Sequence, residues 1–130
     1  MLNDKAAALD LGSAVEFTGM IPENEIPGFL CSLDIYVHAS LGETMSTAIM
    51  QAMACGLPVI ASDVMGINNM IQNGNTGILV PVKNAAALAD AMESLISDEA
   101  RSISLSVAAR KFAEDKFSNR RMLDAYRQLY

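Results

Sequence analysis

Apolar residues in this chain follow two alternating periods. Short runs rich in β-branched and small residues occur at positions 14–18, 34–39, 58–61 and 77–80, and each reads as a strand. The stretches between them, 24–32, 44–55 and 67–73, carry their apolar positions at helical spacing, as does an opening helix over 2–11 that stops at Gly12. Alternation of strand and helix predicts βαβ units around a parallel sheet. Beyond Val80 the pattern is helical throughout. Asn84 is placed to cap a helix whose apolar residues Leu88, Ala91, Met92, Leu95 and Ile96 recur at i, i+3, i+4, i+7 and i+8. Helices over 103–116 and 119–130 follow, the last with Ser118 as its cap.

Composition narrows the class. The chain has 130 residues, enough for one domain with a real core, and is 52% apolar and 18% charged, which excludes disorder. A net charge of −6 without a basic cluster gives no footprint for nucleic acid. No apolar run is long enough to span a bilayer, and the first residues do not read as a signal peptide. Cys31 and Cys55 both lie in apolar surroundings and are expected to be buried core thiols, not a disulfide or metal pair. His38 alone cannot build a metal site.

Candidate chemistry concentrates between Glu43 and Asp63, ETMSTAIMQAMACGLPVIASD. This stretch reads as loop, helix, sharp stop and buried strand. Glu43 and Gln51 are eight residues apart, so on a helix they stand about 80° apart on adjoining faces, separated by about 12 Å along the axis. Gly56 ends the helix cheaply in a left-handed conformation, and Pro58 prevents it from resuming. The run Val59, Ile60, Ala61 then suits a strand covered on both faces. A helix N-terminus beside the end of a parallel strand is a natural place to hold an anion.

This stretch resembles the nucleotide-sugar site of the group 1, retaining, GT-B fold glycosyltransferases. Their signature is a Glu, seven residues, a second Glu, and then a run matched here by Ala52-Met53-Ala54-Cys55-Gly56 and Pro58-Val59-Ile60-Ala61-Ser62-Asp63. Glu43 matches the first acid, and Gln51 stands where the family has the second. The likeness extends upstream through Val15-Glu16-Phe17-Thr18-Gly19 and Leu33-Asp34-Ile35-Tyr36-Val37-His38-Ala39-Ser40. It continues downstream through residues 73–81 and the closing Phe117-Ser118 helix, so nearly the whole chain is covered.

The resemblance implies a Rossmann-like parallel sheet with flanking helices, forming part of a GT-B C-terminal domain. Residues 1–130 would then be a single, incomplete nucleotide-sugar-binding domain with C-terminal helices over 84–130. It further implies that Glu43 is the catalytic-site acid that contacts the donor sugar hydroxyls. The first-turn amides of Met45, Ser46 and Thr47 would meet the diphosphate or hexose, Gln51 the ribose, and Met20 and Ile21 the nucleobase. Each position has a plainer reading as well: Glu43 as a charge favoured by the helix dipole, Ser46 and Thr47 as caps, Gln51 as a solvated helix residue, and Met20 and Ile21 as core. Asp63 and Gly66 line the same strand ends, where Asp63 could equally cap a helix. Met45, Met50 and Met53 read as core filler.

Gln51 is the chief departure from the family pattern. A carboxamide offers one acceptor oxygen where a carboxylate offers two, so the ribose would be held more weakly. The family's two opening strands of the donor domain, its basic diphosphate clamp and its acceptor-binding domain have no counterpart in the chain. The resemblance therefore implies a truncated piece of a hexosyltransferase, inactive alone, needing no metal and no cofactor beyond its nucleoside-diphosphate sugar. It implies a cytoplasmic location, peripheral at the membrane for the longer enzyme. The absent strands would lie between the Val15 and Asp34 strands. Either these two pair directly, or another chain fills the gap and the protein is a homo-oligomer. Two rivals stay open: a non-catalytic assembly module derived from the same fold, and a sugar-nucleotide epimerase of that architecture, against which residues 52–58 speak.

Overall fold

The computed structural model describes residues 2–42 and 46–117. Helix α1 spans Leu2–Ala8 and α2 spans Ile26–Cys31 after a 3-10 turn; β1, Tyr36–His38, is followed by α3, Thr47–Ala54, and β2, Val59–Ser62. Strand β3, Ile78–Val80, then leads into α4, Ala85–Ser97, and α5, Glu99–Phe117. The strands form a parallel sheet in the order β1-β2-β3, with Val37 beside Ile60 and Ile60 beside Ile78. This is the expected Rossmann-like α/β arrangement.

The central strand sorts its side chains by alternation. Val59 and Ala61 join a core built with Ile49, Ala52 and Met53 of α3 and Ala109 and Ala113 of α5. Ile60 points to the other face, where Val80, Ala91 and Leu95 cover it together with Leu105 of α5. Every residue of β2 is buried, as a parallel strand covered on both faces requires. Ile49 and Met53 are wholly buried, each contributing about 1.5–3 kcal/mol relative to exposure. Helix α5 reaches both cores, so it clamps the two layers.

The helix stops follow sequence chemistry. Gly56 takes φ +75 beyond α3; its N–H donates to the Met53 carbonyl, and that of Leu57 donates to Ala52 at 3.1 Å, the paired bonds of a Schellman end. Helix α1 closes the same way around Asp10 at φ 54, with Asp10 N–H on Ala7 and Leu11 N–H on Ala6. The helix expected over 2–11 therefore ends at Ala8. Asn84 caps α4 as expected, its side chain accepting the N–H of Ala87 at 2.9 Å.

Four expectations need correction. Residues 14–18 form no strand: Val15 has extended backbone, but Val15 and Phe17 are exposed and pair with nothing in the sheet, so β1 is partnered by β2 alone among the described residues. Direct pairing of the Val15 and Asp34 segments is thereby ruled out within this fold. Residues 67–73 are not helical; they form consecutive turns that bury Ile67, Met70 and Ile71. The apolar spacing is real, but the backbone bonds go instead to Thr76, whose hydroxyl accepts the Gln72 N–H at 2.8 Å, and to a bridge between Asn73 and Gly77. The helix read over 103–116 begins earlier, at Glu99, because the Asp98 carboxylate accepts the Arg101 N–H and starts it there. Cys31 is exposed, not buried, because α2 ends at the surface. The helix expected over 119–130 and its Ser118 cap lie outside the described residues.

Candidate functional site

The C-terminal ends of the three strands make one rim, the edge of such sheets where ligands bind. The rim is tied together at its centre. Ser62, the last residue of β2, is buried, and its hydroxyl oxygen accepts the backbone N–H of Ser40, just past β1, at 3.0 Å. Beside it the Asp63 N–H donates to the Val80 carbonyl at 2.8 Å, fixing the end of β3. A cavity of about 340 Å³ opens along this edge between Ala39, Ser62, Val80, Lys83 and the start of α4.

Helix α3 starts at this rim. Ser46 is its N-cap and is buried; its hydroxyl accepts the Ile49 N–H at 3.2 Å. The Ser46 N–H points inward, to the Met70 sulfur at 3.4 Å. The hydroxyl of Ser46 is thus spent on the helix. The N–H groups of Thr47 and Ala48 find no acceptor among the described residues, and Thr47 is exposed. First-turn amides of this kind, at the positive end of the helix dipole, suit an anion.

Gln51 lies one turn further along α3, half-buried. Ile21 is half-buried, whereas Met20 is 97% exposed after Gly19 at φ 65, so Met20 is no core residue. Asp63 has no helix to cap; its carboxylate accepts the side-chain amide of Asn68 at 3.3 Å and steadies the following turn. Met53 is in the core, and Met50 packs against it. Glu43 and Met45, the catalytic-site acid and one of the expected amides, lie outside the described residues. Sequence reasoning does not single out Ser62 as an anchor for the Ser40 loop. Its only signal is a serine closing an apolar strand. Among the described residues, no three metal-ligating side chains cluster, and no helix is long and apolar enough to cross a membrane.

A three-stranded parallel sheet that presents the N-terminus of α3 at its rim is a Rossmann-like α/β arrangement. Residues 2–98 match the family model described as "Glycosyl transferases group 1", and the chain belongs to that family. It is 36% identical over 126 residues to the amylovoran biosynthesis glycosyltransferase AmsK of Erwinia amylovora, covering 92% of this chain and 30% of that protein. It is 34% identical over 109 residues to a D-inositol 3-phosphate glycosyltransferase of Corynebacterium aurimucosum, covering 84% and 26%. The chain thus spans about a third or less of the length of these relatives. Among solved structures, sucrose-phosphate synthase of Thermosynechococcus elongatus superposes with a TM-score of 0.85 at 30% identity, over 98% of this chain and 33% of that one. Anabaena Alr3699/HepE, solved in complex with UDP and glucose, gives 0.87 at 24% identity, over 98% and 35%, a likeness of fold. The architecture is that of the C-terminal domain of GT-B glycosyltransferases.

Proposed function

We propose that this chain provides the nucleotide-sugar donor site of a retaining hexosyltransferase. The observation that carries the reading is the first turn of α3 at the sheet rim, where the Thr47 and Ala48 amides meet no acceptor among the described residues. A nucleoside diphosphate supplies what this turn lacks, two charged phosphates that accept from backbone N–H groups. In this reading Gln51, half-buried further along the same helix, bonds the ribose, and Glu43 reads the sugar hydroxyls, as the family resemblance implies. Ile21 and the Met20 backbone sit after the Gly19 turn as the base contact. Relatives named as glycosyltransferases and a fold neighbour solved with UDP support the same assignment.

The protein's chemical part in such a transfer is to position the donor and stabilise the charge on the departing diphosphate. A helix N-terminus does both without a proton transfer. The acceptor sugar or lipid, and activity itself, belong to a longer protein that carries this domain. Calorimetric titration of the chain with uridine diphosphate, UDP-glucose and uridine tests the reading. Saturable binding of the two diphosphates with much weaker uridine binding is expected. Equal binding of all three, or of none, contradicts it.

A further inference from the structure

Strand β1 uses its backbone on one side only. Tyr36 lies beside Val59 and Val37 beside Ile60, and the Tyr36 N–H donates to the Pro58 carbonyl at 2.9 Å. Successive residues of a parallel strand turn their backbone groups to alternate sides. Ile35 and Val37 therefore present N–H and C=O away from β2, where no strand pairs with them among the described residues. The stretch 34–39, DIYVHA, carries neither the lysine nor the proline that commonly protects such an edge.

The chain also shows more surface than a lone domain of its mass. It exposes 9004 Å², against about 6,700 Å² for a compact monomer of 13.9 kDa, an excess of about 2,300 Å². Exposed apolar side chains gather in its first residues, at Leu2, Leu9, Leu11, Val15, Phe17 and Met20. Helix α1 has 7 residues and buries none of them, and a helix that short is marginal in water without a surface to pack on.

We propose that the open edge of β1 is an interface with a second copy of this chain, the two β1 strands pairing antiparallel about a twofold axis at Tyr36. This register sets Ile35 against Val37 of the second copy, and the two residues exchange the N–H and C=O groups that β2 leaves unused. Asp34 then faces His38 of the second copy, so that no like charges oppose each other across the seam. Asp34 is exposed, and His38 is steadied by the Tyr36 hydroxyl, 3.1 Å from its Nδ1. The joined sheet runs β3-β2-β1 and continues through the same strands of the second copy in reverse. Two copies that cover their excess surface bury about 4,600 Å² together, within the range of about 2,000–5,000 Å² found for obligate homodimers.

Sedimentation velocity of the chain at micromolar concentration tests the association, and hydrogen exchange tests its place. The expected species has twice the mass of the chain. In it the Ile35 and Val37 amides exchange at least about tenfold more slowly than after dilution below the dissociation constant, whereas Tyr36, bonded to Pro58, keeps its protection in both. Val37→Pro removes an N–H that faces the second copy and not β2, so it should weaken the dimer by about tenfold or more with its circular dichroism unchanged. Should that variant fail to fold, the exchange of Val37 in the unaltered chain decides. A monomer, an open-ended series of oligomers, a dimer whose Val37 amide exchanges as fast as in the dilute chain, or a folded Val37→Pro dimer of full affinity would each overturn the proposal.

Discussion

The hydroxyl of Ser46 accepts the N–H of Ile49 at 3.2 Å, so the residue at the mouth of the candidate site spends its side chain on holding helix α3 in place. Ser46 is only 4% exposed, and no water can easily replace the bond. Ser46→Ala is expected to lower stability by about 1 kcal/mol, the usual cost of a lost N-cap. Urea unfolding measures it, and an unchanged midpoint would show that the cap is dispensable.

The bond from the Ser40 N–H to the Ser62 hydroxyl makes a second prediction. Ser62→Ala leaves that N–H without its partner, at a cost of about 1–3 kcal/mol. Hydrogen exchange at Ser40 should accelerate well beyond that at Val37 in the neighbouring strand. Equal acceleration at both positions would mean that the substitution loosens the whole sheet and not the loop.

Gly77 is there for want of space. A Cβ at this position would meet the Val59 carbonyl oxygen and the Ile71 Cγ2 methyl, each at 2.9 Å. Gly77→Ala should therefore destabilise by about 1–3 kcal/mol, as overpacking does. Thermal unfolding checks this, with Gly74→Ala as a contrast. Gly74 has open space around it but φ +83, so its penalty is conformational and not steric.

The Gly56 stop, the buried β2 and the Asn84 cap were legible because each rests on local chemistry: a residue able to adopt left-handed φ, an apolar run, a side chain able to accept an N–H. Residues 67–73 were not, because helical spacing of Ile67, Met70 and Ile71 also fits a string of turns, and Thr76 takes the Gln72 N–H that a helix would have used. Residues 14–18 have strand composition, but a strand needs a neighbour, and none pairs with them among the described residues. Around the candidate site, the start and stop of α3 were legible from Ser46 and Gly56. The site's tether through Ser62 depends on contacts between segments 22 residues apart, which no local pattern reveals.

Gln51 tests the ribose assignment. Gln51→Glu supplies a charged acceptor and should tighten diphosphate-nucleoside binding by about 1 kcal/mol, roughly fivefold. Calorimetry with uridine diphosphate measures the gain. Weaker binding would place the side chain too near the phosphates, and unchanged binding would remove it from the site.

The central claim is that backbone N–H groups in the first turn of α3 hold the diphosphate. Thr47→Pro removes one of them with little harm to the helix. Position 47 is the first helical residue, where proline is well tolerated, and Ser46 before it already has φ −112 and ψ 111, the extended backbone that proline favours in its predecessor. Titration of uridine diphosphate into the chain and into this variant, with circular dichroism of both, is the decisive measurement. Retained helix content with affinity reduced by about tenfold or more, matching loss of one hydrogen bond to a charged group of about 1.5–3 kcal/mol, is the predicted result. Equal affinity in a folded Thr47→Pro variant would contradict it.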